Sequence, residues 1–477
     1  MEIIDFTYLI PLIILACAPV VSLMAIAIYR NHLMTFSLAV VSIIIFLACT
    51  IQQWSVLPEA HNVADLLMID SFSLFYLLLL GGAGLVILFI SYPYLCQHTE
   101  VREEYYVLFQ TALFGASILV TSVNFVSLFL GLEILTISLY SLIAYTRTWE
   151  SSIEGSLKYL ILAAASSAFL LFGMALIYIE TGTLVFSNLG QAFQSMGSLS
   201  TAGMAMMLVG IGFKLALVPF HTWTPDIYQG APAPVSALIA SISKGSMVAV
   251  LLRFLYATAG LEIGWLVWTL SLMAIASMLV GSLLALRQTN IKRLLAYSSI
   301  AHLGYILMAI IAKSDLSLEA VNFYLVAYFI SIIGAFGSLS IFSTTDGEID
   351  EIEDLRGMFW TRPVLSIIFS AMFFSLVGIP LTAGFIGKFY VLWAAINDGL
   401  WLLVVALVIS SVIGLYYYLR VINTMLSPIG EQTPRTASAG LSKMGIVVLS
   451  VLGILVIWFG VFPSSLIELI RSVNLTF

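Results

Sequence analysis

Apolar segments recur from one end of the chain to the other, each about 20 residues long and able to cross a hydrocarbon core of ~30 Å as a helix. Hydrophobic residues make up 61% of the 477 positions and charged residues only 9%, which excludes a soluble globular protein. The alternating pattern of membrane β-strands, with segments of roughly ten residues, is absent. The sequence therefore predicts an all-α polytopic membrane protein embedded in a lipid bilayer.

We predict about fourteen transmembrane helices from the positions of these segments. The fourth and fifth segments are separated only by a tight turn around residues 122–123. The fourteen lie near residues 8–28, 34–52, 70–92, 106–122, 124–144, 157–179, 203–223, 234–256, 264–285, 294–312, 320–342, 363–395, 401–422 and 444–465.

The seventh and twelfth segments carry interruptions of the same kind. They read GFKLALVPFHTW, with Pro219, and VGIPLTAGFIGKF, with Pro380. Proline removes a backbone donor and breaks a helix, and broken helices in matching positions of two halves indicate an inverted repeat. Because five is odd, consecutive five-helix units have opposite topology. We therefore expect a three-helix segment at 1–105, five-helix repeats at 106–260 and 261–425 with helices 7 and 12 broken, and a C-terminal helix at 426–477.

Basic residues are distributed unequally between the two sets of loops, which predicts the orientation of the chain. The positive-inside rule makes the richer side cytoplasmic, and an even number of spans then places both termini outside. The acidic stretch 346–354 lies on the cytoplasmic side, where a solvated loop or a docking site for a partner would both fit. The richer side holds Arg30, Arg102, Arg147, Lys158, Arg287, Lys292, Arg293, Arg356, Arg362, Arg420, Arg435 and Lys443, and the other side holds Arg253, Lys313 and Arg471.

Three lysines lie near the middle of otherwise apolar spans: Lys214, Lys244 and Lys388. A charged side chain at this depth costs about 2.5–3.5 kcal/mol on insertion scales. Lysine changes its protonation state readily when it is buried. The three positions therefore indicate a membrane protein that moves protons.

Glu133 is the matching buried carboxylate, in the middle of the fifth span. A lone buried carboxylate takes up a proton, whereas a nearby ammonium keeps it ionised. Lys214 is the natural partner, because it is the first buried cation of the same five-helix unit. Two interpretations follow: a static ion pair that locks two helices, or a switchable pair that loads and unloads a proton.

Four further residues are candidates for proton relay. His302 lies within its span close to serines and a tyrosine, and histidine can relay protons near neutral pH. His221 stands beside a tryptophan at the end of its span, where capping or packing fits as well as a relay. Glu154 and Lys158 form an i,i+4 helix pair by default, with proton uptake from the cytoplasm as the alternative. Arg253, by contrast, is expected at the outer membrane interface.

No recognisable energy-converting site is present in the sequence. It contains no Walker loop, no dinucleotide-binding glycine motif after a strand, and no haem or iron–sulfur ligand set. The net charge of −7 and the lack of a basic patch give no indication of nucleic-acid binding. We therefore expect no cofactor on this chain, so that an ion gradient or a partner protein must drive it.

Three sequence runs resemble the antiporter-like subunits of respiratory complex I and of the multisubunit sodium/proton antiporters. They are GFKLALVPFHTWTPDIYQGAPAPVSALIASISK at 212–244, NIKRLLAYSSIAHLGY at 290–305 and GIPLTAGFIGKFY at 378–390. The TPDIYQGAP portion is most similar to the subunit N branch of this family. The resemblance extends over nearly the whole chain.

The resemblance implies a fold of fourteen helices with two inverted five-helix repeats, and proton translocation coupled to quinone reduction elsewhere in a complex. It assigns proton translocation to Glu133, Lys214, Lys244 and Lys388. It also implies a bacterial inner membrane, sister antiporter-like subunits as partners, and NADH, FMN, iron–sulfur clusters and quinone bound by other subunits. The main alternative is a subunit of a sodium/proton antiporter; a structural scaffold and a solute transporter are further alternatives.

Overall fold

The apolar segments fold into helices that follow one another in sequence order. A computed structural model describes residues 3–56, 60–193, 196–314, 316–343, 347–428 and 443–475. Within these ranges the chain is nearly all helical, as the composition predicts. A short hairpin at His61–Val63 and Leu67–Ile69 (β1 and β2), paired antiparallel, is the one departure from the all-α expectation in the described ranges.

Twenty α-helices are described, numbered here in chain order. A π-helical turn, Ile239–Ser243, joins α10 to α11. The helices are α1 Ile3–Ile28, α2 His32–Val56, α3 Ser71–His98, α4 Glu103–Thr121, α5 Phe125–Ile143, α6 Glu150–Thr181, α7 Phe186–Phe193, α8 Ser198–Leu215, α9 Trp223–Gly230, α10 Ala233–Leu238, α11 Lys244–Ala257, α12 Gly264–Ala285, α13 Ile291–Ile311, α14 Ser317–Phe342, α15 Met358–Thr361, α16 Pro363–Val377, α17 Ala383–Asn397, α18 Trp401–Leu426, α19 Lys443–Val461 and α20 Ser464–Arg471.

Polar residues set the start of several long helices. Asp70 accepts a hydrogen bond from the Ser73 amide at 2.8 Å and caps α3. Asn124 caps α5 and Asn290 caps α13 in the same way. A side-chain oxygen at this position satisfies one of the amides left without a partner in the first turn. These caps fix where the chain leaves a loop and enters a span.

Twelve helices within the described ranges are long and apolar enough to cross a membrane, with α10, the π turn and α11 together making one of them. The apolar α16 is shorter. Neither α4, which begins at Glu103 and Glu104, nor α17 is among the twelve. A polytopic helical membrane protein is therefore confirmed, while the number of fourteen spans stays a prediction.

Both prolines named by the sequence lie between helices. The chain leaves α8 at Leu215 through Ala216 in a left-handed conformation, and Pro219 precedes the start of α9. It leaves α16 at Val377 through Gly378, also left-handed, and Pro380 precedes α17. That each helix pair forms one broken span stays a prediction.

Helix α14 lies at the centre of the molecule. Every residue in its apolar window is buried, whereas 39% of the corresponding window of α6 is buried. It packs against α3, α10, α13, α16, α17 and α19. The apolar window of α14 therefore has no face toward lipid, and protein surrounds it on all sides.

Candidate functional site

Lys214 occupies the last turn of α8 and is 8% exposed. Its ammonium donates a hydrogen bond to Thr136 Oγ1 on α5 at 2.7 Å. Glu133, one turn earlier on α5, accepts a hydrogen bond from Ser167 of α6 at 2.5 Å. Among the ion pairs of the described residues, none joins Glu133 to Lys214 within 4.0 Å. Each charge therefore has its own hydroxyl partner, and the expected direct pair is not formed in this conformation.

Lys244 begins α11 directly after the π-helical turn and is 1% exposed. Its ammonium donates to Ser299 Oγ on α13 at 2.7 Å. Ser299 in turn shares a hydrogen bond with the Tyr328 hydroxyl of α14 at 2.7 Å. Single π turns inside α-helices occur frequently at functional sites, and here the turn immediately precedes the buried cation.

Lys388 lies on α17, and its ammonium reaches back to the end of α16. It donates to the carbonyl oxygen of Val377 at 2.7 Å and to Ser411 Oγ at 3.0 Å. Val377 is the last residue of α16, so its carbonyl has no partner within the helix, and a helix C-terminus favours a cation. The end of one helix therefore forms the binding site for the lysine of the next.

Gly378 makes this approach sterically feasible. Its φ of +84° lies in the left-handed region that favours glycine. A Cβ added there would lie 2.9 Å from Lys388 Cδ. The residue that follows α16 and turns the chain is therefore also the one that leaves room for the lysine.

His302 lies on α13, buried between α14 and α18. Its Nδ1 shares a hydrogen bond with the Tyr324 hydroxyl at 2.6 Å, and its Nε2 lies 3.3 Å from the Tyr418 hydroxyl. The structure therefore brings His302 into the polar region that contains Lys244 and Lys388.

His221, between α8 and α9, is also buried, but its Nδ1 has no hydrogen-bond partner among the described residues. The choice between capping and relay for His221 stays open.

Glu154 and Lys158 form the expected i,i+4 ion pair on α6 at 2.7 Å. Lys158 also contacts Asp226 on α9 at 2.8 Å, and Asp226 contacts Arg293 of α13 at 2.6 Å. Burial raises the pKa of the Asp226 carboxyl, but the hydrogen bonds from Lys158 and Arg293 outweigh burial and hold the pKa below its usual value. Sequence reasoning did not single out Asp226, although it is the only acidic residue in TPDIYQGAP.

The middle of the chain, residues 122–414, matches the transmembrane family described as NADH:quinone oxidoreductase/Mrp antiporter. NADH-quinone oxidoreductase subunit N of Ectopseudomonas mendocina (strain ymp) is 43% identical over 98% of this chain and 96% of its own length. The chain belongs to this antiporter-like family. Within it, the chain groups with subunit N, as the TPDIYQGAP resemblance predicts.

Solved structures agree with the antiporter-like fold. A chain of respiratory complex I from Thermus thermophilus with bound aureothin is 29% identical, with a TM-score of 0.83 over 97% of this chain and 100% of that one. A chain of the Mrp complex from Dietzia sp. DQ12-45-1b has a TM-score of 0.88 at 19% identity, over 98% and 96%. The similarity to the Mrp chain shows the fold alone. Sequence identity therefore distinguishes the complex I chain from the Mrp chain, whereas the TM-score does not.

Of the two interpretations of the acidic stretch, a solvated loop and a docking site for a partner, the solvated one is wrong at Glu348. Glu348 forms a buried ion pair with Lys292 of α13 and accepts a hydrogen bond from the Ala233 amide at 2.8 Å. Asp350 in the same loop accepts from the Ile291 amide through its carbonyl oxygen at 2.7 Å. The loop is therefore docked on the starts of α10 and α13. Residue 346 lies outside the described residues.

The prediction that Arg253 lies at the outer membrane interface is also wrong, because the structure buries this residue. Its guanidinium makes two hydrogen bonds to the Asp70 carboxylate, at 2.8 and 3.0 Å, and the two side chains are 0% and 2% exposed. An interfacial arginine would keep its charge in water. The pair instead connects α11 to the N-terminal cap of α3, and only the fold brings these two positions together.

Proposed function

We propose that the chain is a proton-translocating membrane subunit of a bacterial NADH:quinone oxidoreductase. The observation that carries this is the burial of Lys214, Lys244 and Lys388 in a chain that is 43% identical to a subunit N over 98% of its length. Each ammonium donates to a hydroxyl group, Thr136, Ser299 or Ser411. Buried lysines exchange protons near neutral pH more readily than exposed ones because burial disfavours the charged form.

In this proposal, Glu133 and Lys214 form the switchable pair near one half-channel. Thr136 then holds the lysine when the two are apart, and movement of either helix would bring the charges together or separate them. Lys244 is the central relay and Lys388 the terminal site facing the outer side. His302 links these two, whereas Glu154 and Lys158 would take up protons from the cytoplasm. A relay role for His221 belongs to the same proposal.

The domain division and the surroundings are part of the proposal. Residues 106–260 and 261–425 would be inverted five-helix repeats, with 1–105 and 426–477 flanking them and helices 7 and 12 broken. The chain would span the bacterial inner membrane with both termini in the periplasm. Its partners would be other membrane-arm subunits, including sister antiporter-like subunits. NADH, FMN, iron–sulfur clusters and quinone would bind elsewhere in the complex, and their chemistry would drive this chain.

The test is NADH-driven proton uptake by vesicles that contain the purified complex. We expect co-purification with a flavin- and iron–sulfur-containing arm, and acidification of the lumen in sodium-free buffer. Uptake that requires sodium would instead support the antiporter alternative. Proton pumping at the wild-type rate in a lysine-to-arginine variant would support a scaffold. Each measurement is normalised to the amount of assembled complex.

A further inference from the structure

Helix α14, whose apolar window is buried throughout, contacts the lysine-bearing helices α11 and α17 next to their lysines. Gly245 follows Lys244, and a Cβ added there would clash with Cζ of Phe329 on α14. Gly387 precedes Lys388, and a Cβ added there would lie 2.8 Å from Cδ2 of Tyr324. Because glycine allows helices to approach closely, these two residues bring both cations toward the same helix.

Two tyrosines on α14, one helical turn apart, face α13 at this point. Tyr328 shares a hydrogen bond with Ser299, the residue that accepts from Lys244, at 2.7 Å. Tyr324 shares one with Nδ1 of His302 at 2.6 Å. The rings of Tyr328 and His302 have centroids 5.5 Å apart. The two hydroxyl contacts therefore lie side by side between the helices that carry Lys244 and Lys388.

We propose that Tyr328 and Tyr324 are proton-relay residues between Lys244 and Lys388, a proposal that rests on the function given above. Lys244 gives a proton to Ser299, which passes its own hydroxyl proton to Tyr328. Tyr328 passes its hydroxyl proton through ordered water to the second ring nitrogen of His302, and Nδ1 of His302 releases its proton to Tyr324. Each tyrosine oxygen gains one proton and gives up its own, so no tyrosine is left ionised. Ordered water also completes the path from Tyr324 to Lys388.

Hydroxyl groups suit this position for an electrostatic reason. A phenol both donates and accepts a hydrogen bond, so it can pass a proton without carrying a net charge. A carboxylate in the same place would add a charge at bilayer depth, which is costly. Neutral carriers between two buried cations avoid that cost.

The test uses Tyr324→Phe, Tyr328→Phe and the double variant in the whole complex reconstituted into vesicles. The phenylalanine ring preserves the packing of the tyrosine ring, so that each substitution removes only the hydroxyl group. We expect each single variant to lower the proton-translocation rate on the order of tenfold, less than the ~100-fold or more lost with a typical proton-transfer group, since water can partly replace it. Tyr105→Phe is the matched control, because it removes a buried hydroxyl that bonds Ser91 at 2.9 Å, away from the lysines.

A second measurement separates relay from a purely structural role. Replacing Tyr324 with 3,5-difluorotyrosine keeps the hydroxyl and changes only its acidity. A relay predicts a changed pumping rate and a changed solvent isotope effect, whereas a hydroxyl that merely satisfies His302 predicts neither. Wild-type pumping in the double phenylalanine variant would overturn the inference. If Lys214 and Lys388 variants lower pumping while the tyrosine variants do not, only the inference fails; if the lysine variants also pump normally, the proposed function fails.

Discussion

The ammonium of Lys388 on α17 donates a hydrogen bond to the carbonyl oxygen of Val377, and the lysine therefore caps the C-terminus of α16. Lys388→Arg keeps the charge at this helix end but cannot release a proton, since arginine does not deprotonate in proteins. We expect proton uptake in vesicles to fall on the order of tenfold or more while the complex still assembles. Full pumping in this variant would mean that Lys388 supplies charge alone.

Gly378→Ala tests whether the left-handed end of α16 is needed for the lysine. The substitution places a Cβ 2.9 Å from Lys388 Cδ in addition to the strain of positive φ. Gly182 is the control, because its φ is +70° but a Cβ there would meet nothing within 4 Å. Both variants should lose roughly 1–2 kcal/mol of stability from the backbone strain. Only Gly378→Ala should also lower proton uptake, and equal uptake in the two would contradict the role given to this residue.

Thr136→Val removes the hydroxyl that accepts the hydrogen bond from Lys214 and keeps the side-chain shape. The ammonium then loses its partner on α5 and is driven either toward Glu133 or toward the neutral form. We expect slower proton uptake with normal assembly. Thr111→Val is a suitable control, because that hydroxyl bonds only the Val107 carbonyl of its own helix. Unchanged proton uptake in Thr136→Val would show that the Thr136 hydroxyl is not needed to hold Lys214 apart from Glu133.

Asp70→Asn leaves the cap of α3 an oxygen acceptor but removes the charge that faces Arg253. Breaking a buried ion pair costs about 3–5 kcal/mol, because one charge stays buried without compensation. The thermal unfolding temperature of the complex or its recovery from membranes should fall accordingly. Glu319→Gln, in the exposed pair with Arg471, should cost about 0–1 kcal/mol. A similar small loss in both would show that the Arg253 pair contributes little.

The Asp226 cluster should make stability depend on pH in the acid range. The folded-state pKa of Asp226 lies below its usual value, so the ion pairs stabilise the fold above about pH 4 and are lost as the pH falls through the folded-state pKa. Asp226→Asn should therefore lower thermal stability at neutral pH. The difference between wild type and variant should shrink in more acidic buffer. A difference that is constant with pH would point to packing instead of charge.

Helices and buried charges were predictable here because both are local properties of the chain. A long apolar run determines a span, and a lysine within it stands out without knowledge of its neighbours. The contacts of Arg253, Glu348 and the tyrosines of α14 were not predicted, since their partners lie 183, 56 and 22–29 positions away in the chain. Glu133 and Lys214 were paired by charge alone, and sequence does not reveal that Thr136 and Ser167 hold them separately.

The π-helical turn before Lys244 holds one residue more than an α-helical turn, because its hydrogen bonds span five residues instead of four. Removing one residue from Ile239–Ser243 would therefore let α10 and α11 join as one regular α-helix. The backbone would then lose the wider turn that directly precedes the ammonium. The same deletion in the β1–β2 turn, at residues 64–66, would alter a loop and leave the π turn in place. The extra residue is thus a feature of the backbone at the buried cation, independent of which side chains surround it.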